Sequence, residues 1–240
     1  MNLLIKSPSR SRAAWLNVTI GSALAKRSGK HHLHFVWSVD RDDPTIHEYN
    51  SLREAMPQAV DISVDLVVGD SKTKIEACNR DIPPDGWDVV LLSDDMECVE
   101  PGWDDRIAAD MLERWPNLDG ALHYPDGYRE DLATISIMGR KLYQAFGYIY
   151  HPDYESVWCD NEFNDVCRSL NRIAYIPKVL IQHMHFVTGN RPRDALYDRN
   201  EAFMVSDQVT YERRSQAGFN TEKVRKALES QCTTNAICRS

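Results

Sequence analysis

Asp94 and Asp95 stand side by side directly after the apolar run Val89-Val90-Leu91-Leu92 and the single residue Ser93. Two carboxylates at the tip of a buried strand repel each other and lose hydration, a costly arrangement unless they share something positive. A hard divalent cation such as Mg²⁺ or Mn²⁺ meets that need. It takes oxygen from one or two carboxylates and fills the rest of its shell with water and phosphate oxygens. For an isolated pair the alternative is an acidic turn that opens the next segment. Further along, WCDNEFNDV (158–166) carries Asp160 and Glu162, groups able to take the proton from a hydroxyl nucleophile. In an extended chain both would share one face; at the start of a helix they would stand about 200° apart, Asp160 capping and Glu162 favouring the dipole. IQHMH (181–185) places His183 and His185 on one side of a strand, and imidazole nitrogen readily completes the shell of a Mn²⁺ ion.

Anion-binding candidates lie nearer the N-terminus. Residues 1–39 hold six lysines and arginines and no carboxylate. Within them SPSRSR (7–12) offers Ser9, Arg10 and Arg12, and an anionic ligand could sit against this segment. Ser11 near a helix start makes a basic surface loop the simpler alternative. Asp40 closes the run HLHFVWSVD and could open the turn DRDDP. Lys74 and Asn79 fall in SKTKIEACN, where a lysine is more often solvated.

The elements that must position these groups alternate between two periodicities. Strands are expected at NLLIKS, HLHFVWSVD, VDLVVGD and DVVLLSDD, the last a continuous apolar run suited to burial on both faces. Helices are expected at AAWLNVTIGSALAKRS, PTIHEYNSLREAM, TKIEACNRDI and WDDRIAADMLERW. The alternation predicts an α/β fold with an open, mostly parallel sheet covered by helices on both faces. In such sheets ligands gather beyond the carboxyl ends of the strands, which would bring SPSRSR, DRDD and SDDM to one edge. AYIPKVLIQHMHF reads as strand, YDRNEAFMVSDQVTYERRSQ as one amphipathic helix, and the last dozen residues as frayed.

The run VVLLSDDMECVEPGWDD resembles the metal-binding DXD region of family 2-like, GT-A glycosyltransferases, with Ser93 where the first aspartate usually stands. GRKLYQAFGYIYHPDYESVWCDNEF and IQHMH resemble small proteins of that family found in bacteriophage and environmental viral genomes. Over residues 3–200, the resemblance implies a Rossmann-like GT-A domain at 1–190 and a C-terminal helical extension at 191–240. The nucleotide-binding part would be about 1–105 and the acceptor part about 106–190. It implies a nucleotide-sugar donor, UDP-sugar favoured, held with Mn²⁺ or Mg²⁺. Ser9, Arg10, Arg12, Asp40, Lys74 and Asp94 would contact the donor, while Asp95 with His183 or His185 would hold the metal. Asp160 or Glu162 would be the base of an inverting transfer. The acceptor is a hydroxyl; a 5-hydroxymethylpyrimidine of phage DNA, a surface glycan, a protein and a small molecule stay open. Trp158, Tyr124 and Tyr128 are candidates to pack against sugar or acceptor.

Bulk properties narrow the alternatives. The chain has 240 residues, 42% hydrophobic, with a formal net charge of −8, which opposes polyanion binding unless the charge is unevenly spread. No apolar run approaches a membrane span and none forms a secretory signal, so a cytoplasmic address is expected, the host's if the protein is viral. Six cysteines without a C-x-x-C pair argue for reduced packing residues rather than a zinc or redox site. A nucleotidyltransferase is the rival enzyme class, yet none of the eleven glycines forms a G-x-G-x-x-G or G-x-x-x-x-G-K loop. A non-catalytic carbohydrate-binding protein is the other rival. Eight C-terminal basic residues, Arg191, Arg193, Arg199, Arg213, Arg214, Lys223, Arg225 and Lys226, could form a phosphate-tracking face, although acidic neighbours interleave with them.

Overall fold

The computed structural model describes residues 1–92 and 95–237, with the backbone alone at Leu92 and 232–237. Ser93 and Asp94 therefore lie outside the described residues. In chain order the elements are β1 (Asn2–Ser9), α1 (Ala13–Lys26), β2 (His32–Asp40), α2 (Ile46–Glu54), β3 (Ile62–Gly69), α3 (Lys74–Asn79), β4 (Val89–Leu92) and β5 (Met96–Cys98). There follow α4 (Trp103–Arg114), β6 (Ala121–His123), β7 (Ile137–Gly139), α5 (Arg140–Phe146), α6 (Cys159–Ser169), β8 (Ile173–Tyr175) and β9 (Ile181–His183). After a 3₁₀ turn at Phe186–Thr188 come α7 (Ala195–Glu201), α8 (Met204–Gln216) and α9 (Thr221–Ile237).

Seven strands form one sheet in the order β3-β2-β1-β4-β7-β6-β8. Within it β7 runs antiparallel to both β4 and β6, while the other pairs are parallel. Strand periodicity of two sorts the apolar residues onto two cores. Leu3 and Ile5 of β1, Phe35, Trp37 and Val39 of β2, and Val89 and Leu91 of β4 face α1, α2 and α4. Leu4, Val36 and Val90 face the other way, onto Ile75, Leu142, Phe146, Phe163 and Val166. Helices thus cover both faces, as the sequence pattern predicts. Val224 and Leu228 of α9 belong to this second core, so the C-terminal helices pack into the body of the fold.

Two expected continuous elements are broken. AYIPKVLIQHMHF gives two strands in different sheets, because Pro177 has no N–H to donate and the chain leaves the large sheet there. β9 then pairs antiparallel with β5, Met96 opposite His183. The helix expected over 197–216 breaks between α7 and α8, and the tail expected to fray continues as helix through Ile237.

Candidate active site

A cavity of about 330 Å³ opens beyond the carboxyl ends of β1 and β2 and is roofed by α7. Ser9, Arg10, Arg12, Asp40, Lys74, Asp95, Asp160, His183 and His185 all line it, so nearly every residue singled out in the sequence converges on one space. Asp94 lies outside the described residues, and Glu162 is not among the lining groups.

The loop between β1 and α1 is pinned by hydrogen bonds. Ser11, at φ 53°, donates its backbone N–H to Asp43 at 2.7 Å, and Arg12 donates its own to the Tyr49 hydroxyl at 2.9 Å, which also meets Ser9 Oγ. Arg10 grips Asp42, with Nη2 2.9 Å from Oδ2, and lies 3.3 Å from Asp40. Asp40 also has Arg80 at 3.7 Å, and the Arg80 Nη1 reaches Gly69 so closely that a Cβ there would collide with it. Arg12 donates two bonds of 2.8 Å to Asp194 and lies over the rings of Trp15 and Tyr197. Arg12 and Arg10 therefore line the cavity as groups already paired with carboxylates, holding the loop and α7 in place.

Asp95 comes to the histidines through the β5–β9 pairing. His183 Nε2 is 3.4 Å from Asp95 Oδ1, and its Nδ1 is 3.4 Å from Asp126 Oδ2. The other Asp95 oxygen accepts from the Tyr197 hydroxyl at 2.9 Å and lies 3.7 Å from Arg12. Asp126 is fully buried and fixed by the backbone N–H groups of Tyr128 and Arg129 and by the Thr134 hydroxyl. Burial alone would lower the His183 pKa, but the two flanking carboxylates outweigh it and raise it to about 9. Burial likewise disfavours ionised Asp126, yet its hydrogen bonds hold its pKa below the usual carboxylate range. His185 is lowered by burial and by the charge of His183.

This donor set fits a hard cation of modest protein ligation. Asp95 Oδ1 and His183 Nε2 are spaced at 3.4 Å, compatible with two ligands of one ion at bond lengths of about 2.0–2.2 Å once the ion displaces the proton that the two carboxylates hold on His183. No cluster of three or more metal-ligating side chains occurs among the described residues. Most of the shell would therefore fall to water and phosphate oxygens, the habit of Mg²⁺ and Mn²⁺.

The segment 158–166 is helical, which separates its two carboxylates. Trp158 enters α6 at φ 61°, a left-handed conformation unusual for so large a side chain. Asp160 faces the cavity, whereas Glu162 turns into the protein, accepting from Arg214 at 2.7 and 2.8 Å and from Tyr154 at 2.8 Å. Glu162 is thus spent on a buried ion pair, which corrects the expectation that it could serve as the base. Removing one partner of such a pair strands a buried charge, so Glu162→Gln should cost about 3–5 kcal/mol in urea unfolding. Turnover per folded molecule should stay near that of the parent, and a collapse of turnover without loss of stability would contradict this assignment.

Several lining or supporting groups carry no signal in the sequence. Tyr197 and Asn200 reach the cavity from α7, beside Arg199, which the sequence offered only as part of a phosphate-tracking face, and Asp126 sits in a YPDGY turn that reads as loop chemistry alone. Of the proposed aromatic platforms, Tyr124 is buried with its hydroxyl on Asp110 and Trp158 packs on Tyr211, whereas Tyr128 is exposed and parallel to His185 at 6.0 Å. Among the described residues no helix is long and apolar enough to cross a membrane, and Cys78, Cys98, Cys159 and Cys167 are free and buried.

No protein-family model and no curated protein sequence matches the chain. Solved structures do. A mannosyltransferase from Pyrobaculum calidifontis in complex with GDP-Man and Mn²⁺ matches with a TM-score of 0.58 at 12% identity, over 99% of this chain and 79% of that one. S. aureus TarS 1–349 matches with a TM-score of 0.55 at 16% identity, over 76% of this chain. TarS 1–349 in complex with UDP-GlcNAc gives a TM-score of 0.57. The match spans about 60% of the length of TarS 1–349. The fold is the GT-A fold, a mostly parallel sheet between two layers of helices.

Proposed function

We propose that the chain is a glycosyltransferase that moves a sugar from a nucleoside-diphosphate sugar to a hydroxyl acceptor. The observation that carries this reading is the convergence of Asp40, Lys74, Asp95, Asp160 and His183 on one cavity at the strand ends of a GT-A fold. Complexes of structural neighbours with UDP-GlcNAc and with GDP-Man and Mn²⁺ support the same donor class.

Asp40, flanked by Arg10 and Arg80, is an acceptor for the N–H edge of the base, and UDP is the favoured nucleotide. Lys74 and Arg199 line the cavity and are the cations offered to the diphosphate. Asp95 and His183, with His185 as the alternative imidazole, would hold a Mn²⁺ or Mg²⁺ ion. Such an ion supplies electrostatic stabilisation to the charge that develops on the departing diphosphate. In the transfer, the bond from the anomeric carbon to the β-phosphate oxygen breaks and a bond to the acceptor oxygen forms. The acceptor proton passes to the carboxylate of Asp160. Attack from the face opposite the leaving group gives inversion.

Among the described residues, most of the C-terminal basic side chains are paired. Arg191, Arg193, Arg213, Arg214, Arg225 and Lys226 each pair with a carboxylate. That ranks hydroxymethylated DNA behind a glycan, protein or small-molecule hydroxyl. Calorimetric titration of UDP and GDP with and without Mn²⁺ tests the donor reading. Mn²⁺ should tighten binding of the preferred nucleotide by at least about tenfold, equivalent to 1.4 kcal/mol. Affinity for sugars with none for either nucleotide would instead favour a carbohydrate-binding protein.

A further inference from the structure

One face of α8 is polar and yet turned inward. Asp207, Tyr211 and Arg214 recur at the i, i+4, i+7 spacing of a helical stripe, and Asp207 and Arg214 are buried. All three grip the same stretch of chain. Arg214 binds Glu162 and Asp153, and Tyr211 donates its hydroxyl to Asp165 and packs its ring on Trp158. Asp207 makes the most concentrated contact. Its Oδ1 accepts from the backbone N–H of Glu155 at 3.0 Å, and its Oδ2 accepts from those of Ser156 and Val157, both at 2.8 Å.

Three successive N–H groups aimed at one carboxylate form a concave anion site made by the backbone and filled from another helix. The loop so held has no secondary structure of its own to fix it. It lines the cavity through Ser156 and Val157, carries α3 by the hydrogen bond from Ile75 N to Glu155 O, and runs through left-handed Trp158 directly into Asp160. A shift of this loop moves the start of α6, and with it Asp160.

We propose that Asp207 is a positioning residue for Asp160: by gathering the N–H groups of residues 155–157, it sets where α6 begins and where the base carboxylate stands in the cavity. The inference rests on the reading of Asp160 as the base. It gives the C-terminal helices a part in the chemistry although α8 places no carboxylate of its own in the cavity.

The test is a double-mutant cycle on the full chain, with Asp207→Asn, Asp160→Asn and both together. An amide at 207 keeps one acceptor oxygen and turns an N–H₂ towards a backbone N–H, so the loop must shift. A displacement on the scale of 1 Å can cost about 100-fold in rate. Asp207→Asn should therefore lower kcat by about 10- to 100-fold while donor KM and UDP affinity stay within about twofold. In the Asp160→Asn background the same change should lower the residual rate no further, because Asp207 acts through Asp160. If the two losses multiply instead, or if kcat and KM move together with folded fraction, Asp207 is only structural and the inference fails. If Asp207→Asn does not fold, Asp207→Glu with the same cycle takes its place, since it keeps the charge and displaces it by one methylene. A folded Asp207→Glu with parental kcat would overturn the inference. Full turnover by Asp160→Asn alone would sink the base assignment, an outcome separate from parental turnover by Asp207→Asn beside an inactive Asp160→Asn.

Discussion

Asp160→Asn is expected to reduce sugar transfer by about 100- to 10,000-fold, the range supplied by a positioned general base, with nucleotide affinity unchanged. The variant should also be more stable than the parent at neutral pH. Burial raises the pKa of Asp160, and the nearby charge of Lys74 only partly offsets that shift. A carboxylate whose folded-state pKa lies above its unfolded value of about 3.9 is ionised at a greater cost in the folded protein. That cost is absent below the unfolded pKa, enters as the pH rises through the window between the two values, and persists above it. The amide removes it, while its carbonyl oxygen can still accept the 3.0 Å hydrogen bond from Asn161 N–H. Melting temperatures of parent and variant should therefore converge at low pH and separate at pH 7, the variant being higher. The same shift moves the acid limb of the pH–kcat profile upward from the ordinary aspartate value. A variant with unchanged transfer, or one destabilised at pH 7, would contradict the assignment of Asp160 as a desolvated base. Gain of stability with loss of turnover is the pattern expected where an ionised group is held for chemistry at a cost to folding.

The part of the site that was legible in the sequence is the part set by local pattern. Apolar runs buried on both faces in β1, β2 and β4 place Ser9 and Asp40 at strand ends and Asp95 just beyond one, and topology alone then gathers them. His183 was legible for the same reason, as a polar residue closing an apolar strand. The choice between Asp160 and Glu162 was not legible, because it depends on whether 158–166 is helical. Once α6 forms, the 100° step per residue turns one carboxylate to the cavity and the other to Arg214, 52 positions away. Arg10 and Arg12 show a second limit. Their type and place mark them for an anion, yet Arg12 meets Asp194 across 182 positions, a partner no local reading can assign. α7 and α8 read as one solvated amphipathic helix because their buried polar groups, Tyr197, Asp207 and Arg214, carry the same hydropathy as exposed ones. Only the break after Glu201 lets α7 roof the cavity while α8 turns its polar stripe onto residues 153–165.

Asp95→Asn should abolish the metal-dependent component of donor binding and lower kcat by about 100- to 1,000-fold or more, comparable to losing one fixed charge-stabilising group. The substitution isolates charge from architecture. Asp95 is buried, and its backbone carbonyl accepts from Met184 N–H at 3.0 Å whatever the side chain. An amide oxygen can still accept from Tyr197, and Arg12 keeps both of its bonds to Asp194. The fold should survive at some cost in stability, because His183 then keeps only Asp126 as a carboxylate partner, so circular dichroism should match the parent while the melting temperature falls. What disappears is the negative charge that, in the proposed reading, would draw a divalent ion to the end of β4 with His183, and a neutral amide oxygen is a far weaker ligand for a hard cation. Calorimetry with UDP should then give the same affinity with and without Mn²⁺ in the variant, where the parent shows a clear difference. A variant that binds UDP as tightly as the parent in Mn²⁺, and turns over at the same rate, would show that no ion is tethered through residue 95. Departure of the diphosphate would then have to be assisted by the cationic side chains alone, with Lys74 and Arg199 as the groups to substitute next.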